Sequence, residues 1–178
     1  MDKKQRIKLY SELQAKFVGF ENYEIRLEEI GFFEKPASLN HHGNMEGGLF
    51  AHSYQVARSL IDLTERLELK WQHKRSPFIV GIMHDLCKCY TYQRNMDNGE
   101  YIYNPNVIFS GHGSLSVVMA QDIIGHLTDE EAACIMWHMG AFEKDTKNWE
   151  YYGNAVKKYP NVLYTHTADM IASKIMGV

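Results

Sequence analysis

Nothing in this sequence builds a strong field of either sign. Over 178 residues, 19 Lys and Arg stand against 22 Asp and Glu, for a formal charge of −3. The totals point away from a nucleic-acid backbone or an anionic bilayer as partner, and no basic tract stands out. Three cysteines (Cys87, Cys89, Cys134) are an odd number with no disulfide framework, which points to a reducing, cytoplasmic setting. Cys87-Lys88-Cys89 lacks the spacing of a zinc knuckle and has no second Cys pair, so these thiols read as packing residues. Long apolar runs are missing too. The charged start Met1-Asp2-Lys3-Lys4-Gln5 is followed by none, against a signal peptide or membrane span. There is no internal repeat, low-complexity tract or linker. What remains is one domain over residues 1–178, with residues 1–31 as an N-terminal helical segment packed on it. Its 45% hydrophobic content is ordinary for a chain that buries a core.

Histidine, by contrast, is abundant, with nine in the chain. The stretch Phe78-Ile79-Val80-Gly81-Ile82-Met83-His84-Asp85-Leu86-Cys87-Lys88 organises the rest. Ser76 and Pro77 open it as a helix, with a hydroxyl to cap free N–H groups and a ring that pre-sets φ. A helix apolar on nearly all sides must be buried. This one nevertheless carries an imidazole and a carboxylate, groups that rarely sit inside a protein unpaired. A hydrogen-bonded pair would satisfy them; so would a metal ion, for which both are good ligands.

Around this stretch the periodicity predicts helices over Lys3–Gly19, Tyr23–Ile30 and Leu49–Leu67, with an extended segment over Phe32–Ser38 and a glycine-rich loop over Asn40–Gly48. In the Leu49–Leu67 helix, His52 lies one turn before Val56 and so on the inward face. Asn98-Gly99 between aromatic flanks predicts a β-hairpin over Tyr90–Tyr103, placed to act as a flap. Ser110-Gly111-His112-Gly113 leads into another helix. Thr128-Asp129-Glu130-Glu131 is a capping box that starts a helix reaching His138, stopped by Gly140. A polar loop carrying Phe142, Trp149, Tyr151 and Tyr152 follows, then a helix from Asn161 toward Lys174 with Asp169 where an apolar residue is expected.

Collected in order, the anomalies are His52, His84-Asp85, His112, His138 and Asp169. Four imidazoles and two carboxylates exceed what one zinc ion needs, and suit two metals that share a bridging carboxylate. Helices around a central one can aim such groups inward. The order H…HD…H…H…D resembles the HD superfamily of metal-dependent phosphohydrolases, specifically its binuclear members. Gly47-Gly48-Leu49-Phe50-Ala51-His52 is similar to the family's entry to the first ligand helix. His84-Asp85-Leu86-Cys87-Lys88 is similar to its His-Asp-x-x-Lys motif, with cysteine where a small residue is usual. Trp137-His138-Met139-Gly140 and Thr167-Ala168-Asp169 match the later ligands in position and character, so the resemblance runs from about Phe32 to Lys174.

The resemblance implies an all-α fold, an HD-domain helical bundle around a central buried helix with a small β-hairpin insertion. It implies two divalent transition metal ions, for which manganese, iron, zinc, nickel and cobalt all suit the ligands. His52, His84, Asp85 and Asp169 would hold the first, with Asp85 bridging, and His112 and His138 the second. Asp85 and Lys88 would be the catalytic residues, and a metal-bridging water or hydroxide would attack the phosphorus of a phosphomonoester or phosphodiester, with a nucleotide as the leading substrate. His42, Lys88, Tyr92, Tyr101 and Trp149 are the candidate substrate contacts, His42 as a phosphate contact or general acid. His166, one turn before Asp169, either orients that carboxylate or simply packs; His41, His73 and His126 read as surface residues. Two other functions share the ligand set: a di-iron oxygenase of the same superfamily, and a non-catalytic metal-bound sensor or scaffold.

Overall fold

The computed structural model describes residues 1–17, 23–40, 43–140 and 146–178. It is mostly helical, with one two-stranded antiparallel sheet among those residues. The helices are α1 (Lys3–Gln14), α2 (Glu24–Glu29), α3 (Gly48–Leu67), α4 (Ser76–Met83), α5 (Cys87–Thr91), α6 (His112–Ile124), α7 (Asp129–Met136), α8 (Thr146–Lys158) and α9 (Asn161–Met170). A π-helical segment, Ile171–Met176, extends α9. Among the described residues no helix is long and apolar enough to cross a membrane.

Every residue of α4 is buried, and α3, α6 and α7 all pack on it. The close α3–α4 approach has a visible cause. A Cβ at Gly81 would overlap the backbone of Ala57, so only glycine lets the two helices meet at this distance. The inward stripe of α3 (Leu49, His52, Ser53, Val56, Ala57, Leu60) then lies directly on α4. Gly113 plays the same part where α6 starts beside the end of α7: a Cβ there would overlap the Met136 carbonyl. Gly81→Ala is therefore expected to cost about 3 kcal/mol, the upper range for overpacking a core. Chemical denaturation of the metal-free protein measures this directly.

A cluster of aromatic rings fills the core between α1, α3 and α4. Tyr10 of α1 meets Phe33 at 5.6 Å and Phe78 of α4 at 5.8 Å, and Phe33 meets Phe50 of α3 at 5.6 Å. These rings seat α1 against the bundle. At the far end, Glu131 closes the capping box of α7: its backbone N–H donates to Thr128 Oγ1 at 3.1 Å, and its carboxylate accepts from the Thr128 N–H at 2.9 Å. The same carboxylate accepts from the buried Ser76 hydroxyl at 3.0 Å. Ser76 thus braces α7 and makes no N-cap bond for its own helix, whose N-cap position is Arg75.

Several predicted boundaries change. The single helix expected over Phe78–Lys88 breaks at His84-Asp85-Leu86, where Leu86 N–H bonds Met83 O and Lys88 N–H bonds Asp85 O, each three residues back. This tight winding separates α4 from α5. Likewise α7 stops at Met136, and His138 lies in the turn beyond it. Phe32–Lys35 folds into turns closed on Gly31, where an extended segment is expected. The polar loop expected after Gly140 contains helix α8, whose Tyr152, Ala155 and Val156 pack on the core at helical spacing.

The hairpin pairs β1 (Tyr92–Arg94) with β2 (Tyr101–Tyr103), in the register Tyr92↔Tyr103, Gln93↔Ile102, Arg94↔Tyr101. Residues Tyr90 and Thr91, expected in the strand, belong to α5. Gly99, at φ 73°, takes the left-handed conformation that its loop requires.

Candidate metal centre

Two of the histidines share one local device, and a third is held in the same way from a distance. His84 follows α4 and His138 follows α7, each at the point where a helix leaves carbonyls unbonded. Each ring turns back on its own helix, with Nδ1 2.9 Å from Gly81 O in one case and 2.7 Å from Ile135 O in the other. His52, on the inward face of α3, has Nδ1 3.0 Å from the Val178 carbonyl. A carbonyl only accepts, so in all three rings Nδ1 carries the hydrogen. In the neutral imidazole, that leaves the Nε2 lone pair free and aimed away from the helix.

Those lone pairs converge. His52 Nε2 lies 3.2 Å from His84 Nε2 and 3.2 Å from Asp169 Oδ1. His84 and His138 meet edge to face at 4.9 Å between ring centroids, and the His138 and His112 rings lie tilted to each other at 5.1 Å. Asp85 sits in the middle, almost wholly buried, with its two oxygens facing different neighbours. Oδ2 is 3.5 Å from His84 Nε2 and 3.6 Å from His52 Nε2. Oδ1 is 2.5 Å from His112 Nε2 and 3.6 Å from His138 Nε2. Lys88 Nζ, one turn on in α5, donates to Oδ2 at 2.5 Å.

The electrostatics follow from burial and this crowding. Burial pushes His84 down to about 3, which keeps its imidazole neutral. Burial alone would raise the Asp85 carboxyl, but Lys88, His84 and His112 outweigh it and hold the group well below its ordinary value. Burial likewise opposes the charged forms of Lys88 and His112. The Asp85 charge reverses this in both, raising Lys88 and bringing His112 to about 10. At Asp169, burial is outweighed by the adjacent His52 and His84 rings, so its carboxyl is lowered.

Does this donor set fit a cation? His138 Nε2 is buried with no hydrogen-bond partner, a costly state for a polar atom. Two imidazole lone pairs at 3.2 Å repel unless something positive lies between them. Ligands about 2.1 Å from one ion sit about 3.0–3.4 Å from each other, which matches the His52–His84–Asp169 spacing. Among the described residues, three groups each bring one donor atom per residue within 4.8 Å of the others: His52, His84 and Asp169; His84, Asp85 and His138; Asp85, Cys87 and His112. The residues fit a metal site.

A cleft of about 380 Å³ opens over this cluster. His52, Asp85, Lys88, His112, Asp169, Tyr92, His166 and Lys174 are among its lining residues. The structure brings together the six expected ligands and Lys88, while the expected substrate contacts divide. Tyr92 lines the cleft, but Tyr103 stands beside it where Tyr101 is expected. The strand register puts Tyr101 farther out, opposite Arg94, whose guanidinium covers its ring at 4.5 Å while its hydroxyl donates to Glu34 O. Trp149 does not line the cleft either; its exposed ring packs on Tyr152, and Tyr152 on Trp137. His42 and His41 lie outside the described residues. His73 and His126 are exposed. His166 supports His138, its Nδ1 lying 2.8 Å from the His138 carbonyl, and does not bond Asp169 in this geometry. Sequence reasoning missed two participants, Cys87 against His112 and the Val178 carbonyl behind His52. Neither residue type carries a periodic signal that could have marked it. Protein-family models, curated proteins and solved structures were compared with the chain, and none of them matches it.

Proposed function

We propose that this chain is a metal-dependent phosphohydrolase of the HD type that works with two divalent ions. The observation that carries this reading is the division of the Asp85 carboxylate, one oxygen toward His52 and His84 and the other toward His112 and His138. On this reading His52, His84, Asp85 and Asp169 hold the first ion, and His112, His138 and Asp85 the second. Bound there, such ions supply Lewis-acid charge for phosphoryl oxygens and lower the pKa of water to make a nucleophile.

The chain's own groups favour an anionic substrate. Lys88 pairs with Asp85 inside the cleft, and Lys174 and His166 stand on its lining. Where ions share the Asp85 charge, the Lys88 ammonium is left to bind a substrate phosphate oxygen. The cleft volume suits a single small phosphoester, such as a nucleotide, better than a polymer. Tyr92 and Tyr103, ring to ring at 5.4 Å, provide an apolar wall for the rest of that molecule.

The test is a metal-reconstituted sample assayed on phosphomonoesters and phosphodiesters, nucleotides included, with oxygen uptake recorded in parallel. Phosphate release that requires divalent metal and consumes no oxygen is the expected result. Oxygen uptake without phosphoester cleavage would replace this reading with the di-iron oxygenase. Lys88→Met should leave both ions in place and lower kcat/KM by about 100-fold, the usual loss for one charge-stabilising donor. Loss of metal from that variant would instead make Lys88 a support for Asp85.

A further inference from the structure

We propose that Cys87 orients His112 toward the second metal position, so that this position alone depends on a thiol; the proposal rests on the binuclear reading above. His52, His84 and His138 are each held through Nδ1 by a backbone carbonyl. His112 differs. It opens α6, where no preceding helical turn offers a carbonyl, and its Nδ1 lies 3.2 Å from Cys87 Sγ.

The bonding around the sulfur has a direction. Cys87 S–H points to the Asp85 carbonyl at 3.9 Å, which leaves the sulfur lone pairs to accept the His112 Nδ1–H. The thiol is itself fixed from α6. Ser116, one turn after His112 on the same face and fully buried, accepts the Cys87 backbone N–H at 3.1 Å. Residues 112 and 116 therefore grip residue 87 together, and α5 and α6 are in contact there.

His112 needs such a hold more than the other ligands do. Its side chain is 36% exposed, against 0% for His84 and 1% for His138. Beside its ring lies a second cavity of about 210 Å³, lined by Thr91, Val107, Phe109 and Leu115 among others, so the imidazole is not packed in on that side. Its other anchor is Asp85, bonded through Nε2. That bond must open when Nε2 binds an ion, and the sulfur then remains as the partner that keeps the ring facing the cluster. A thiol is a weak acceptor, so the second position should be the more readily lost of the two.

The experiment compares wild type, Cys87→Ala and Cys87→Ser in two measurements. In the metal-free proteins, nitrogen-15 NMR of the histidine rings reads the state of His112 Nδ1. In titrations with manganese alone, equilibrium dialysis reads the affinity of each position. For Cys87→Ala the His112 Nδ1 signal should shift, and the second ion should bind about tenfold more weakly while the first is unchanged, within the usual range for removing a ligand's hydrogen-bond partner. Cys87→Ser, which keeps an acceptor, should recover most of the loss. An unchanged Nδ1 signal, or full second-site affinity in Cys87→Ala, overturns the proposal while leaving the binuclear site standing. Wild type that takes up only one manganese ion overturns the binuclear reading itself.

Discussion

Asp85→Ala is expected to lose both ions and all hydrolysis in a single step. No other carboxylate in the cluster has one oxygen toward His52 and His84 and the other toward His112 and His138. Asp169 stands on one side, beside His52. Removing Asp85 therefore takes a ligand from each position and also the charge that makes room for a cation. The same change has a second, independent signature. In the metal-free chain Asp85 balances Lys88 and His112, both raised by its charge. Deleting it leaves these cations unpaired around a buried cluster, which should cost about 3–5 kcal/mol. Elemental analysis and denaturation in chelator check the two effects separately. Retention of two ions in this variant would mean that Asp85 is a counter-ion to Lys88 and nothing more.

How much of this was legible beforehand follows from what hydrophobic pattern encodes. Helix type and inward face were readable, because burial of an apolar stripe is a local property. His52 could be placed inward from Val56, and the Thr128–Glu131 box could be read as a helix start; the structure has both. Pattern does not encode where two helices come closest. Gly81 and Gly113 mark those points, and each looks like an ordinary small residue until the facing backbone of Ala57 or Met136 is known. Nor does it show that His84 and His138 lie just past their helices. An apolar run continuing through Leu86 or Met139 reads as unbroken helix, yet the ring bond to the third carbonyl back is made at the helix end. The hairpin was readable from Asn98-Gly99, but the tyrosine that meets Tyr92 depends on register. A two-residue turn at Asn98-Gly99 would set Tyr103 opposite Arg94; the longer loop shifts the register by two residues and sets it opposite Tyr92, with Tyr101 opposite Arg94.

Removing a single imidazole should divide the cluster in a way that no structural role would. His138→Ala, and His112→Ala with it, should empty the second position and leave one ion on His52, His84, Asp85 and Asp169. The first position survives because His52 Nε2 already stands 3.2 Å from His84 Nε2 and from Asp169 Oδ1, and both rings are held by main-chain oxygens that neither substitution touches. His52→Ala should do the reverse and weaken the first position. Turnover should fall by more than about 100-fold in all three, since losing a ligand costs at least as much as losing the residue that orients one. His138 is the sharper case. Its Nε2 is buried with no hydrogen-bond partner, so its removal relieves an unsatisfied atom in the metal-free chain. The metal-free His138→Ala protein should accordingly lose less stability than its buried volume suggests, while its metal content halves. Metal per chain, measured beside turnover and metal-free stability, reads all of this from one set of samples. Two ions retained in the His112 and His138 variants, with activity intact, would sink the binuclear assignment. A single-metal site in which His112 and His138 contact the substrate phosphate would then be the better account.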